Sequence, residues 1–229
     1  MAYRKVNEAS LTAVADSIRE KGGTTGALAF PDGFVSAVQA IQAGGGEADS
    51  SFKDVIERTA VNPTLPSDLT KIGSYAFYNY RNLALTSLPD GVTSIGNSAF
   101  YNCENLALTS LPDGLTSIGN SAFQNCNKIA LTSLPDGVTS IENYAFYSCR
   151  SLALTSLPSS LTTIMDYALG FCYILSTLTF NGTPSSIGTN AFTGCRNLTT
   201  INVPWAEGAV ANAPWGATNA TINYNYTGE

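Results

Sequence analysis

The segment Ile95-Gly-Asn-Ser-Ala-Phe-Tyr-Asn-Cys-Glu-Asn-Leu-Ala-Leu-Thr-Ser-Leu-Pro-Asp-Gly114 decides the fold, because its apolar residues recur every 23 residues along much of the chain. A period of this length is typical of proteins that stack one structural unit on the next. The recurring positions are Ile72, Ile95, Ile118, Ile141, Ile164 and Ile187; Ala76, Ala99, Ala122, Ala145, Ala168 and Ala191; Phe77, Phe100, Phe123, Phe146, Leu169 and Phe192; and Leu83, Leu106, Ile129, Leu152, Leu175 and Leu198. These series predict six coils, which we number one to six from the isoleucine that begins each.

A single coil is too small to bury its own apolar side chains, whereas stacked copies form a continuous core. Equivalent side chains then lie roughly 5 Å apart, the distance between paired strands. The small alanine before each phenylalanine favours a tight helical or 3₁₀ turn, and Leu-Pro-Asp-Gly favours the turn that ends a strand. We therefore expect an α/β repeat protein, a solenoid whose coils cover residues 72–204.

The repeated unit resembles the BspA-like, or treponemal-type, leucine-rich repeat, which reads roughly Ile-Gly-x-x-Ala-Phe-x-x-Cys-x-x-Leu-x-x-Ile-x-Ile-Pro. The resemblance covers about residues 65–204 and implies a right-handed leucine-rich-repeat solenoid. Coil six, with Cys195-Arg-Asn-Leu-Thr-Thr-Ile-Asn-Val-Pro204, follows the unit closely. Coils two to four place their strand residues differently, as in Leu106-Ala-Leu-Thr-Ser-Leu111, so their register stays open, since a one-residue slip exchanges the two faces of a strand.

A solenoid needs caps, because its terminal coils would otherwise expose core side chains and a free sheet edge. Residues 52–71 are expected to form an N-terminal cap, with a short amphipathic helix, followed by a partial coil. The period fails after coil six, and residues 205–229 are expected to form the C-terminal cap. Trp205 and Trp215 lie there, and we favour a lid over the core for them rather than a ligand platform.

The first part of the chain is predicted to be a separate module. Residues 1–43 have the pattern of a helical hairpin, and the glycine-rich residues 44–51 that of a flexible linker. Both this module and the tail around Ala213-Pro-Trp-Gly-Ala-Thr-Asn-Ala-Thr221 resemble segments of tail-associated proteins of phages and prophages from Gram-positive gut bacteria. The resemblance implies that residues 1–43 attach to other particle or surface proteins, while the solenoid faces the host.

Charge and hydropathy exclude several classes of partner. Only 12% of the residues are charged, and residues 1–60 carry half of those charges. Without a cluster of Lys and Arg, we expect no nucleic acid partner, and without a long apolar run, no membrane insertion. The polar start Met1-Ala-Tyr-Arg-Lys-Val-Asn-Glu8 lacks the apolar stretch of a secretory signal. The expected location is the cytoplasm, or a phage tail or cell surface if another route releases the chain.

The residue types argue against an enzyme, a metal and a cofactor. The chain has no His, which removes the commonest general base and metal ligand. The cysteines recur at one phase, with Tyr80 in the first slot, and are expected to be buried thiols rather than zinc ligands or disulfides. Asp90, Asp113 and Asp136 lie in Pro-Asp-Gly turns, where turn chemistry explains them better than calcium binding or glycosidase chemistry does.

The candidate ligand-binding residues are Tyr78, Tyr101, Gln124 and Tyr147, which share one phase directly after the buried phenylalanines. Exposed tyrosines among Asn and Ser suit recognition of sugars or proteins, although tyrosines also simply pack across neighbouring coils. The expected function is a non-catalytic binding or adhesion module for a host-surface protein or glycan. The alternative is a structural or assembly protein of a phage particle or bacterial surface, with no ligand of its own.

Overall fold

The computed structural model describes residues 61–228, and within them every regular element is a short β-strand. The predicted hairpin 1–43, the linker 44–51 and the helix within 52–71 therefore lie outside the described residues. The strands are β1 (Lys71–Ile72), β2 (Ser94–Ile95), β3 (Ser117–Ile118), β4 (Ser140–Ile141), β5 (Ser156–Leu157), β6 (Thr163–Ile164), β7 (Thr177–Phe180), β8 (Ser186–Ile187), β9 (Thr200–Asn202) and β10 (Thr221–Asn223).

The first sheet consists of the isoleucine rungs and confirms the 23-residue coil. Its six parallel strands are ordered β1-β2-β3-β4-β6-β8, and each isoleucine pairs with the isoleucine of the next coil, as Ile72 does with Ile95. Each of these isoleucines is buried. Exposed hydroxyls reinforce the stack, since the Thr93 side chain donates a hydrogen bond to the Thr70 carbonyl at 3.1 Å.

The second sheet is confined to the C-terminal coils, with parallel strands ordered β10-β9-β7-β5. It also answers the question of register, because Leu157 of coil four pairs with Phe180 of coil five at the same 23-residue spacing. In coil two, Leu106, Leu108 and Leu111 are all buried, while the two residues between Leu108 and Leu111 are exposed. Coils two to four therefore bury the same first and last positions of this segment as coil six, while their middle buried residue lies one position earlier.

The segment from each isoleucine to the following Cys position, residues 96–103 in coil two, forms what we call the turn face. The helical part of the α/β prediction is wrong for residues 61–228, because this face consists of linked turns. The N–H groups of Ser98, Phe100 and Asn102 donate to carbonyls of coil three, each at 2.8 Å. The alternate N–H groups donate within the coil. A helix cannot form when every second N–H is used by the neighbouring coil.

A shorter closing coil follows coil six. The Phe192 N–H donates to the Trp215 carbonyl at 2.9 Å, and β10 pairs with β9. Trp205 and Trp215 are buried and pack against Phe180, with ring centroids 5.2 and 6.3 Å from it. Both indoles therefore cover the C-terminal end of the core and are not exposed as a platform. Within residues 61–228, no helix is long and apolar enough to cross a membrane.

Candidate binding surface

The candidate tyrosines lie on the turn face but fall into two separate clusters. Tyr78 and Tyr101 are half-buried and stacked, with ring centroids 4.8 Å apart and 11° between their planes. Tyr75, more than half exposed, meets Tyr78 edge-on at 5.7 Å. Gln124 is half-buried and interrupts the row. The stacking leaves mainly ring edges and hydroxyl groups for a ligand at this first cluster.

Tyr147, the remaining candidate, belongs to a second and larger cluster three coils away from Tyr78. Its ring meets Tyr144 at 5.5 Å, Tyr167 at 6.2 Å and Phe171 at 5.1 Å. Tyr144 and Tyr167 are themselves stacked, with centroids 5.1 Å apart. The structure therefore brings Tyr147 together with residues outside the predicted row, and separates it from Tyr78 and Tyr101.

The aspartate ladder is exposed, as expected of turn residues. Asp90, Asp113 and Asp136 each follow a proline in the turn that leads to the next isoleucine strand, and all three residues are exposed. Among residues 61–228, no group of three His, Cys, Asp or Glu side chains is placed to hold a metal ion.

The predicted burial of the cysteines is confirmed for all five, and none forms a disulfide. Each thiol donates to a carbonyl of the preceding coil; Cys126, for example, donates to the Phe100 carbonyl at 3.0 Å. Burial raises the pKa of the Cys126 thiol well above its ordinary value, and it also raises the pKa of Cys149. A protonated, buried thiol is a poor nucleophile and metal ligand, which favours a structural role for Cys126 and Cys149.

The sequence reasoning missed an aromatic ring held between two arginines at the edge of the second cluster. The guanidinium carbons of Arg150 and Arg196 lie 5.8 and 5.6 Å from the Tyr173 ring centroid. The three residues share one phase in successive coils. That shared phase was visible in the sequence, but the contact became apparent only when the coils were stacked.

Comparisons with known proteins agree with the geometry. The family model for the BspA type leucine rich repeat region matches residues 49–152 and 116–208, in six copies. Among curated proteins, none matches this chain. Solved structures with this fold include two bacterial leucine rich proteins.

The first is a leucine rich cell surface protein from Faecalibacterium prausnitzii A2-165, with 33% identity over 62% of this chain and a TM-score of 0.55. This chain spans 38% of the length of that protein. The second is the leucine rich repeat protein TpLRR of T. pallidum, with 28% identity, 73% of this chain and 70% of that chain covered, and a TM-score of 0.50. The 23-residue period, the two parallel sheets and these matches show that the chain belongs to the BspA type leucine rich repeat family.

Proposed function

We propose that this chain is a non-catalytic binding or adhesion module that presents its repeat surface to a protein or glycan on a host cell. The observation that carries the proposal is the pair of tyrosine clusters, around Tyr78 and around Tyr147, on an otherwise polar turn face. Hydrogen bonds between coils hold this face rigid. A rigid surface loses little conformational freedom on binding, which favours affinity without any catalytic machinery.

The proposed location of the module is supported by the resemblances at its ends and by one structural relative. The Faecalibacterium prausnitzii relative is described as a cell surface protein. The N-terminal module and the tail resemble phage and prophage tail-associated proteins. We therefore infer that residues 1–43 attach the chain to a tail particle or another surface protein, and that the solenoid is turned towards the host cell.

The second candidate is a structural or assembly protein without a ligand, and one observation favours it. The faces of Tyr78 and Tyr101 are turned towards each other, so part of their apolar area is already used within the molecule. Such stacking would stabilise a spacer without serving recognition. The two candidates differ in a simple way, since only the binding module attaches to host material in the absence of the particle.

The test is the attachment of the labelled full chain to candidate host bacteria and to their purified wall glycans, at low and at moderate salt. We expect attachment that depends weakly on salt, because the turn face carries few charges. Attachment that collapses over this range would contradict a predominantly neutral contact. Absence of attachment to every candidate, with particle assembly still requiring the chain, would support the structural alternative.

A matched pair of variants tests the tyrosine row itself. Replacing Tyr78 and Tyr101 by Gln introduces the residue that Gln124 already places at the same phase, so the coils should still fold. The double variant should attach less strongly if the first cluster binds. Thr109→Gln, on the exposed side between Leu108 and Leu111, serves as the control and should leave attachment unchanged. Equal attachment by both variants would remove the first cluster from the proposal.

A further inference from the structure

Coil five departs from the repeat at outward positions where every other coil has a polar, charged or glycine residue. Phe171 replaces Asn, Ser or Gly, Tyr173 replaces Arg, Glu or Asn, and Ile174 replaces Asn, Lys or Ser. Met165 similarly stands where the other coils have Gly or Glu. Ile174 is 49% exposed and Met165 37%, so these substitutions do not serve the core. A solenoid with near-identical coils acquires a distinct surface where one coil breaks its pattern.

The aromatic rings of coil five join Tyr147 into one continuous surface, which we call the coil-five patch: Tyr147, Tyr167, Phe171, Tyr173 and Ile174. Phe171 bridges the patch, with its ring 5.1 Å from Tyr147 and 6.4 Å from Tyr173. Gly170 leaves room for this arrangement, because a Cβ atom there would lie 3.1 Å from the Tyr147 Cδ2 atom. The ring of Tyr147 therefore leans over coil five through the space that the missing side chain leaves.

Two cations border the patch without an acidic partner. Arg150 and Arg196 are exposed, lie on either side of coil five, and form no ion pair with any residue of the range 61–228. Both guanidinium groups lie over the Tyr173 ring, at cation–π distance from it. A guanidinium group held in place retains N–H donors for a planar, bidentate contact with a carboxylate.

We propose that the coil-five patch, with Arg150 and Arg196, is the docking surface for a protein partner that bears acidic side chains; the proposal rests on the binding function proposed above. Tyrosine, phenylalanine and arginine, which make up most of this surface, are enriched at protein interfaces. A sugar needs an open ring face, whereas the Tyr173 ring is covered by guanidinium groups and Tyr144 is stacked on Tyr167. The partner is expected to be acidic because carboxylate groups would complement the charges of Arg150 and Arg196.

The test uses the full chain and an array of synthetic peptides that combine paired Asp or Glu with aromatic and aliphatic residues. The same peptides with Asn or Gln in place of the acids serve as the matched probes. We expect the acidic peptides to bind more strongly than their amide analogues. Exchange of Arg150 and Arg196 for Gln should weaken this binding by about tenfold, the effect of two exposed ion pairs. Equal binding of acidic and amide peptides would overturn the proposal.

A second variant separates surface effects from folding. Tyr173→Asn with Ile174→Asn restores residues that the other coils carry at these phases, and it should bind the acidic peptides as weakly as the arginine variant. Lys128→Gln removes an exposed cation elsewhere and should leave peptide binding unchanged. If a uronic acid oligosaccharide binds to the full chain and none of the acidic peptides does, the assignment to a protein partner is overturned. If the full chain binds the acidic peptides but not host cells, the proposed function is refuted, while the docking surface is still supported.

Discussion

The rings of Phe100 and Phe123 lie parallel, with their centroids 5.3 Å apart and 2° between their planes. Both side chains are completely buried, and the centroid separation is close to the distance between strands of adjacent coils. Each ring therefore fills the space between the rings of the neighbouring coils. Because the backbones of those coils are bonded to each other on both sides, they cannot close a gap left by a missing ring.

Phe123→Ala should lower the free energy of unfolding by roughly 3–5 kcal/mol, because it removes a ring from the middle of the ladder and leaves a cavity. Denaturation in urea measures the change. Gln124→Ala, the adjacent half-buried position, is the control and should change stability by less than about 0.5 kcal/mol. A loss under about 1 kcal/mol for Phe123→Ala would mean that the ring is not part of a packed ladder.

Gly194→Ala should be clearly destabilising, by at least about 1 kcal/mol. Gly194 has a φ of 76°, and a Cβ atom there would lie 2.8 Å from the Phe171 Cδ1 atom. The control is Ser148→Gly at the same position of coil four, where φ is 60°. Glycine relieves the strained φ at this position, but it loses more conformational entropy on folding. Because the two effects oppose each other, the free energy of unfolding should change by less than about 1 kcal/mol. Equal losses in the two variants would contradict the described turn geometry.

The cysteines should react slowly with a thiol reagent in the folded chain and completely after unfolding. All five are buried, and each Sγ atom is engaged with a backbone carbonyl, as Cys149 is with the Phe123 carbonyl at 3.0 Å. Labelling followed by mass spectrometry, with and without denaturant, makes the comparison. Rapid labelling of the native chain, or a stoichiometric zinc ion in its mass, would refute the structural role of the ladder.

Stability should fall as the pH rises above about 9, the ordinary pKa of a thiol. Burial is the main cause that raises the pKa of Cys126. Electrostatic interaction with the adjacent Cys149 and Cys103 raises this pKa further. The folded chain therefore keeps protons that the unfolded chain releases, and the unfolded state gains stability as the pH increases. Urea denaturation across this range measures the slope. Cys126→Ala should show a shallower fall, and an equal or steeper fall would contradict the assignment.

Much of the fold was predictable because burial repeats with the coil. Ile95, Phe100 and Leu106 have equivalents at a constant spacing, and that spacing alone implies stacked coils with shared rungs. The linked turns that stand in place of the expected helical turn were not predictable in the same way. Ser98 and Asn102 adopt φ values of 52° and 57°, and their N–H groups bond to the next coil. The local pattern of one coil contains no information about hydrogen bonds to its neighbour.

The candidate site was only partly predictable for a related reason. The shared phase indicates Tyr78 and Tyr147, but it does not indicate Phe171 and Tyr173, whose residue types differ from those at the same phases of other coils. Their contacts connect three coils and several different phases. A ring contact such as that of Phe171 with Tyr147 depends on the space above Gly170, which the sequence of one coil does not define.

The measurement that tests the account most directly is amide hydrogen exchange of the full chain, before and after addition of the host-surface fraction that it binds. Binding should protect amides of coils four and five around the coil-five patch, residues 142–150 and 165–174, and leave residues 1–43 unchanged. Protection confined to residues 1–43, with the turn face unaffected, would place recognition in the N-terminal module and contradict the role assigned to the solenoid.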